Sequence, residues 1–146
     1  MSTIRVFRAG IPHLEKSDQG RLVAITSISA KQPLVNLVLS NATRAGVHGV
    51  VKTLSREIAS TGITVNAVCP GTTRTDRITQ LAGQDAEREG ISLDKAYANW
   101  ASTVPLGRLG DPMEFGAAVT YLCGRQAAFI TGIALPVDGG FMAGMP

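Results

Sequence analysis

Two short β-branched runs, Arg21 to Thr26 (RLVAIT) and Ile63 to Val68 (ITVNAV), flank one long stretch of helical periodicity, and no other feature limits the fold so tightly. A turn formed by Ser17, Asp18, Gln19 and Gly20 precedes the first run. The apolar character of that run predicts a strand buried on both faces of a parallel sheet. Between the runs, Val47, Val50, Val51, Leu54 and Ile58 line one face of a helix from about Val38 to Ser60, which Gly62 stops. Strand, helix and strand make a βαβ unit, whose parallel crossover is right-handed almost without exception. Cys69, Pro70 and Gly71 are expected to break the second strand sharply.

The flanking segments extend this pattern. Ile4, Phe7, Ile11 and Leu14 recur at helical spacing and predict an amphipathic helix from about Ser2 to Lys16, despite Gly10 and Pro12. Residues from about Asp76 to Ser102 mix charge with helical periodicity and predict a mobile excursion of the kind that covers a site. Asp111, Pro112 and Glu114 supply an N-cap, a proline at the first helical position and the reciprocal acid of a capping box, so a helix is expected from Pro112 to about Cys123. Tyr121 falls at core spacing with Phe115, Ala118 and Leu122. Ile133 to Val137 predicts a last strand, placed at an edge by Pro136, before Asp138, Gly139 and Gly140 turn into a Gly- and Met-rich tail.

Composition narrows the class. With 146 residues, 45% of them hydrophobic and 17% charged, the chain has the makeup of one soluble globular domain, and a cytoplasmic location is the expectation. The net charge of +3 comes from basic residues scattered without a run, which argues against nucleic acid. No apolar stretch has the length of a membrane span. Cys69 and Cys123 form no CxxC pair and have no histidine cluster beside them, so buried, reduced thiols are expected and no metal.

In order, GRLVAITS, a helix with a polar i, i+4 pair, ITVNAVCPGTTRTD, PLGRLGDPMEFGAAVTYL and ITGIALPVDGG resemble the second half of short-chain dehydrogenases/reductases, near the 3-oxoacyl-acyl-carrier-protein reductase-like members. The resemblance covers nearly the whole chain. It implies an α/β fold, the C-terminal half of a Rossmann-type doubly wound parallel sheet with its last three strands and flanking helices. Residues 1–146 are then expected to be a single partial domain lacking the N-terminal half whose glycine-rich turn meets the cofactor pyrophosphate. The glycine pairs present, such as Gly46 with Gly49, follow the wrong elements for that turn.

The resemblance also implies chemistry: NAD or NADP as cofactor, a small carbonyl or secondary-alcohol substrate, and a homo-oligomer. Ligands in such sheets bind beyond the carboxyl ends of the strands, where Ser27 and Pro70-Gly71 fall. A serine at the position of Ser27 hydrogen-bonds the substrate carbonyl in the family, and a Tyr-x-x-x-Lys pair supplies the proton and holds the ribose. Here Ser40 stands at the tyrosine position, thirteen residues after Ser27, and Arg44 at the lysine position. A hydroxyl is a much weaker acid than a phenol, and a guanidinium stays protonated, so the spacing is kept with altered chemistry. Ser27, Ser40 and Arg44 are the catalytic candidates. The loop of Pro70, Gly71, Thr72, Thr73 and Thr75 resembles the family's PGxxxT segment, which holds the nicotinamide carboxamide, and Ser40 and Arg44 join it as cofactor-binding candidates.

The two replacements also leave a second expectation, a non-catalytic dimerisation or binding module built on the helices of residues 2–16 and 38–60. Asn66 reads as structural. His48 follows Ser40 by two turns, roughly 12 Å along the axis at about 1.5 Å per residue, too far for a Ser/His pair. His48 and His13 are both expected at the surface. Tyr97 is a more plausible substitute acid than Tyr121. The unpaired edge of the Arg21 to Thr26 strand is expected to favour aggregation.

Overall fold

Residues 2–144 are described by a computed structural model of the chain; Met1, Met145 and Pro146, and with the last two the end of the Gly- and Met-rich tail, lie outside the described residues. The core is a parallel three-stranded sheet of order β1-β2-β3, with β1 at Arg21–Ile25, β2 at Thr64–Pro70 and β3 at Ala134–Val137. Helices α1 (Ser2–Leu14) and α2 (Val38–Glu57) pack on one face, α5 (Pro112–Cys123) on the other. Phe7, Leu22, Ala24, Val51, Val65 and Ala67 fill the first interface, and Val68, Leu122 and Ala127 the second. Helices on both faces of a parallel sheet are the doubly wound arrangement that the sequence predicts.

β2 is the central strand and every residue from Thr64 to Cys69 is buried. β1 departs from the expectation of burial on both faces: only Leu22 and Ala24 are buried along it, and Ile25 is 61% exposed. The reason is position, since β1 is an edge strand among the described residues. Buried Asn66 is structural as expected, donating from Nδ2 to the Ile130 carbonyl at 2.8 Å and accepting from the Ile133 N–H at 3.3 Å. β3 forms the other edge, as Pro136 predicts. Ala67 and Gly71 donate to the carbonyls of Ile133 and Val137 at 2.8 and 3.0 Å, which turns the nitrogen of Pro136 away from β2.

The strand end at Cys69, Pro70 and Gly71 differs from the expected sharp break. β2 runs on through Cys69 and Pro70, which pair with Pro136 and Val137. The break is one-sided and falls on the side of β1. There Thr64 donates to the Gly20 carbonyl at 3.2 Å and Thr26 donates to the Val68 carbonyl at 2.9 Å. The next donor in that alternation is residue 70, and proline has no N–H to give.

Other elements refine the expectations. α1 is continuous through Gly10 and Pro12, because Pro12 stands in its last turn, where one lost bond does little damage. The segment after residue 76 is an ordered helical hairpin, α3 (Asp76–Glu89) and α4 (Leu93–Ser102), separated by left-handed Gly90. Trp100 Nε1 donates to Asp85 at 3.0 Å and the Tyr97 hydroxyl to Thr79 at 2.8 Å, which ties the two helices together. Cys69 is buried, but Cys123 is exposed. Tyr121 is also out of the core, 51% exposed, because Phe115, Val119 and Leu122 form the inward stripe of α5 and Tyr121 is turned off it. Among the described residues no helix is long and apolar enough to cross a membrane.

The capping box of α5 forms as the sequence predicts: Asp111 accepts from the Met113 N–H at 2.7 Å, and Glu114 accepts from the Asp111 N–H at 2.8 Å. Arg108 also grips Glu114 through two bonds of 2.8 and 2.6 Å. Those hydrogen bonds, with the Asp111 N–H, push the Glu114 carboxyl down from 4.5 to about 2.

Two outcomes follow for α5. Leu122→Ala is expected to cost about 2–5 kcal/mol in urea unfolding, whereas Tyr121→Ala stays within about 1 kcal/mol. Equal losses would reverse the assigned inward face. A depressed carboxyl contributes stability above its unfolded value and loses it as pH falls through its folded value. The gap in melting temperature between the native chain and Glu114→Gln should therefore be complete above pH 4.5 and close as pH approaches about 2.

Candidate functional site

The carboxyl ends of β1 and β2 and the start of α2 come together around Thr26, the residue that follows β1. Thr26 is 3% exposed and bonded at every polar atom. Its N–H is held by Val68, and its carbonyl, the acceptor that Pro70 cannot serve, takes a 2.6 Å bond from Arg44 Nη1. Arg44 Nε donates to the Ser40 hydroxyl oxygen at 3.1 Å. Two of the three catalytic candidates are thus joined, one helical turn apart on α2, and the pair is pinned to the sheet. Ser40, Thr43 and Arg44 open into a polar hollow of about 430 Å³ along the free edge of β1, with Thr26, Ile25 and Val47 among its walls.

Ser27 is the next residue, in extended conformation, and it caps the short 3-10 turn Ile28–Ala30 by accepting from the Ser29 N–H at 3.1 Å. Its hydroxyl hydrogen stays available to a ligand, since an acceptor role leaves the donor free. Among the described residues no hydrogen bond links Ser27 to Ser40 or Arg44.

The loop after β2 is fastened separately. Arg74 N–H donates to the Gly110 carbonyl at 2.9 Å, and Gly110 N–H to the Thr72 carbonyl at 3.0 Å. Gly71 permits the close approach of the two strand ends, because a Cβ there would lie 2.6 Å from Asp138 Cα. Thr73 donates to the Gly71 carbonyl at 3.4 Å, while exposed Thr75, at the N-cap of α3, makes no side-chain capping bond. Thr72 faces a second hollow of about 400 Å³, walled by Leu34, Trp100 and Phe141 with Asn99 and Thr103. Asp138 shapes the turn that brings Phe141 there, accepting from the N–H groups of Gly140 and Met142 at 3.0 and 2.9 Å. The expected turn at residues 137–140 is thereby accounted for, with Gly139 and Gly140 at φ 64 and 86.

One residue escaped the sequence analysis. His48 is a half-buried member of this cluster and not the surface residue expected. Its Nε2 lies 2.9 Å from Thr26 Oγ1 and 3.5 Å from Cys69 Sγ, and Thr26 Oγ1 lies 3.3 Å from Cys69 Sγ. Burial holds the imidazole below its ordinary 6.5, helped by Lys31, and burial raises the Cys69 thiol. The signal was the four-residue spacing of Ser40, Arg44 and His48, which puts one stripe of α2 against the strand ends. Measured against Ser40, His48 was too far away; its partner is on the sheet. Tyr97 faces Thr79 within the hairpin, with Arg74 5.7 Å over its ring, and lines neither hollow. His13 is exposed as expected. Among the described residues no cluster of metal-ligating side chains occurs.

Comparison with known proteins places this architecture. The family model described as Enoyl-(Acyl carrier protein) reductase matches residues 1–142. The chain is 37% identical over 139 residues to the 3-oxoacyl-[acyl-carrier-protein] reductase FabG of Vibrio cholerae serotype O1, covering 95% of this chain and 52% of that protein. It is 39% identical over 138 residues to a putative ketoacyl reductase of Streptomyces coelicolor, covering 94% and 52%. The chain thus spans about half the length of the curated relatives it matches. Among solved structures, L-sorbose reductase from Gluconobacter frateurii, complexed with NADPH and L-sorbose, superposes with a TM-score of 0.94 at 27% identity, covering 99% of this chain and 56% of that one. Actinorhodin polyketide ketoreductase with NADPH gives 0.80 at 37% identity, covering 90% and 49%. With its parallel sheet clothed on both faces and a match along nearly its whole length, the chain belongs to the short-chain dehydrogenase/reductase family, on the side of the 3-oxoacyl-acyl-carrier-protein reductases.

Proposed function

We propose that the whole protein is an NAD(P)-dependent oxidoreductase that interconverts a carbonyl and a secondary alcohol, with Ser27, Ser40 and Arg44 at the reacting end. The observation that carries this reading is the pinned Ser40–Arg44 pair, a fixed cation and a hydroxyl at the carboxyl end of a parallel sheet, where such folds bind ligands. Two solved relatives hold NADPH, which supports the same cofactor class here.

The residues present fit that cofactor. Arg44 spends Nε on Ser40 and Nη1 on Thr26. Its Nη2 makes no protein bond among the described residues, and so remains to donate to a ribose hydroxyl or a phosphate oxygen in the 430 Å³ hollow. In the loop of Pro70, Gly71, Thr72, Thr73 and Thr75, the uncommitted Thr75 hydroxyl and the backbone groups suit a carboxamide. When bound, a reduced nicotinamide supplies hydride. The chain's own part is to orient the carbonyl through Ser27 and Ser40 and to favour negative charge on its oxygen through the nearby guanidinium. A serine hydroxyl is too weak an acid to give up its own proton, so the proton that completes the alcohol is drawn from solvent through water held by the hydroxyls.

The 400 Å³ hollow points to the substrate. Leu34, Trp100 and Phe141 are apolar, Thr72, Asn99 and Thr103 are polar and uncharged, and among the described residues no charged side chain lines it. An uncharged substrate with an apolar or aromatic body fits such a wall. A homo-oligomer is part of the same proposal, since Ile4, Phe7, Ile11, Val50 and Leu54 line an open apolar hollow of about 370 Å³ between α1 and α2.

Titration of the full-length gene product with NADPH and NADH, followed by protein fluorescence, tests the cofactor. Binding of either is expected, and turnover with uncharged aryl or alkyl ketones should exceed that with keto acids. No binding of either dinucleotide would end the proposal. Arg44→Met, which removes the charge and keeps the stem, should weaken the dinucleotide about tenfold or more, the order expected when a charge-assisted bond is lost, with circular dichroism unchanged. Sedimentation should show a dimer or larger species that Leu54→Glu shifts toward monomer.

A further inference from the structure

Thr26 makes its third set of contacts with groups that the proposed chemistry leaves idle. Its hydroxyl meets His48 Nε2 at 2.9 Å and Cys69 Sγ at 3.3 Å. His48 sits on α2 one turn after Arg44, as Arg44 sits one turn after Ser40. The two side chains thus hold the same threonine from neighbouring turns, Arg44 by the carbonyl and His48 by the hydroxyl. Any rotation of the Thr26 peptide that loosens one contact alters the other.

We infer that His48 is a positioning residue, which fixes Thr26 and through it the direction in which Arg44 presents its guanidinium. The inference rests on Arg44 having the cofactor-side role proposed above. Its neutral form suits the arrangement. An unprotonated Nε2 accepts from the Thr26 hydroxyl, and that oxygen accepts in turn from the Cys69 thiol. The ordered chain is thiol to hydroxyl to imidazole. Burial favours this form at both ends, since it lowers the histidine and raises the cysteine.

Charged neighbours act on both groups. Lys31, beyond the Ile28–Ala30 turn, opposes a positive imidazole, while the Arg44 guanidinium, one turn earlier on the helix, is bonded to Ser40 and Thr26. At Cys69 burial raises the thiol, Lys31 lowers it and Asp138, after β3, raises it, with burial the largest of these. Protonation of His48 turns Nε2 into a donor, so the Thr26 hydroxyl must reverse and aim at the Val68 carbonyl, 3.5 Å away. The contact that steadies Arg44 is then remade in a poorer geometry. Because the folded histidine lies below 6.5, the effect belongs to the acid side of that value, and stability also falls there as pH drops.

The test is the nitrogen–proton cross-peak of Arg44 Nε, which needs no cofactor. At pH 7, Thr26→Val and His48→Ala should both displace or broaden it, and His48→Gln, whose side-chain oxygen can accept as the imidazole does, should restore it. In the native chain the peak should move with the same midpoint as the His48 ring on acidification, and should stay still in His48→Gln. A peak that keeps its place in Thr26→Val, with the amide spectrum otherwise native, overturns the inference even where His48→Ala fails to fold. In the full-length product, NADPH affinity should weaken several-fold from pH 7.5 to 5.5, and His48→Gln should flatten that dependence. Loss of all NADPH binding with the Arg44 response intact would strike the proposed function and leave the positioning role standing.

Discussion

Pro70 withholds one backbone donor, and much of the site follows from that. The β1–β2 ladder alternates donors until it reaches residue 70, where the Thr26 carbonyl faces a ring nitrogen without a hydrogen. A buried carbonyl left without a partner costs on the order of 1–3 kcal/mol. Arg44 answers it at 2.6 Å and carries Ser40 with it. The proline that opens the strand ends also creates the acceptor that draws the arginine in, so one missing N–H fixes the aim of a cation.

The sheet makes this local arrangement rigid. β2 is buried from Thr64 to Cys69, and β1 is pressed on it by Leu22 and Ala24 against Val51 and Phe7. α2 belongs to the same cluster through Val47, Val51, Leu54 and Ile58, so the stripe of Ser40, Arg44 and His48 cannot turn without disturbing the core. Gly71 and the Asp138 turn let β2 and β3 end close together and bring Phe141 to the second hollow. Thr26 at the end of β1 lines the first hollow and Thr72 after β2 lines the second, so both open at carboxyl ends of the sheet.

Much of this was legible in the chain because periodicity records burial. The βαβ unit, the capping box at Asp111 and Glu114 and the edge position of Pro136 were readable, since each is a local rule with a local cause, whereas Ser27, Ser40 and Arg44 are singled out only by the resemblance to the family. What escaped depended on partners distant in sequence. His48 looked like a surface residue because its partners, Thr26 and Cys69, are 22 and 21 residues away on strands. Tyr121 looked like core because apolar spacing on a short helix does not say which of two adjacent stripes turns inward. The wall of Leu34, Trp100 and Phe141 draws on three segments that no window joins. Burial on both faces of β1 failed for a topological reason, since a strand's neighbours are not written in its own residues.

The central claim is that Arg44 stands in for the donor Pro70 lacks, and a double-mutant cycle tests it most directly. Arg44→Ala is measured by urea unfolding in the native chain and again in Pro70→Ala, which restores an N–H at position 70. If the guanidinium serves the Thr26 carbonyl, the arginine matters less once the backbone can do so, and the two changes couple by roughly 1 kcal/mol. Costs that simply add would show that the Thr26 carbonyl does not depend on Arg44, and would contradict the account.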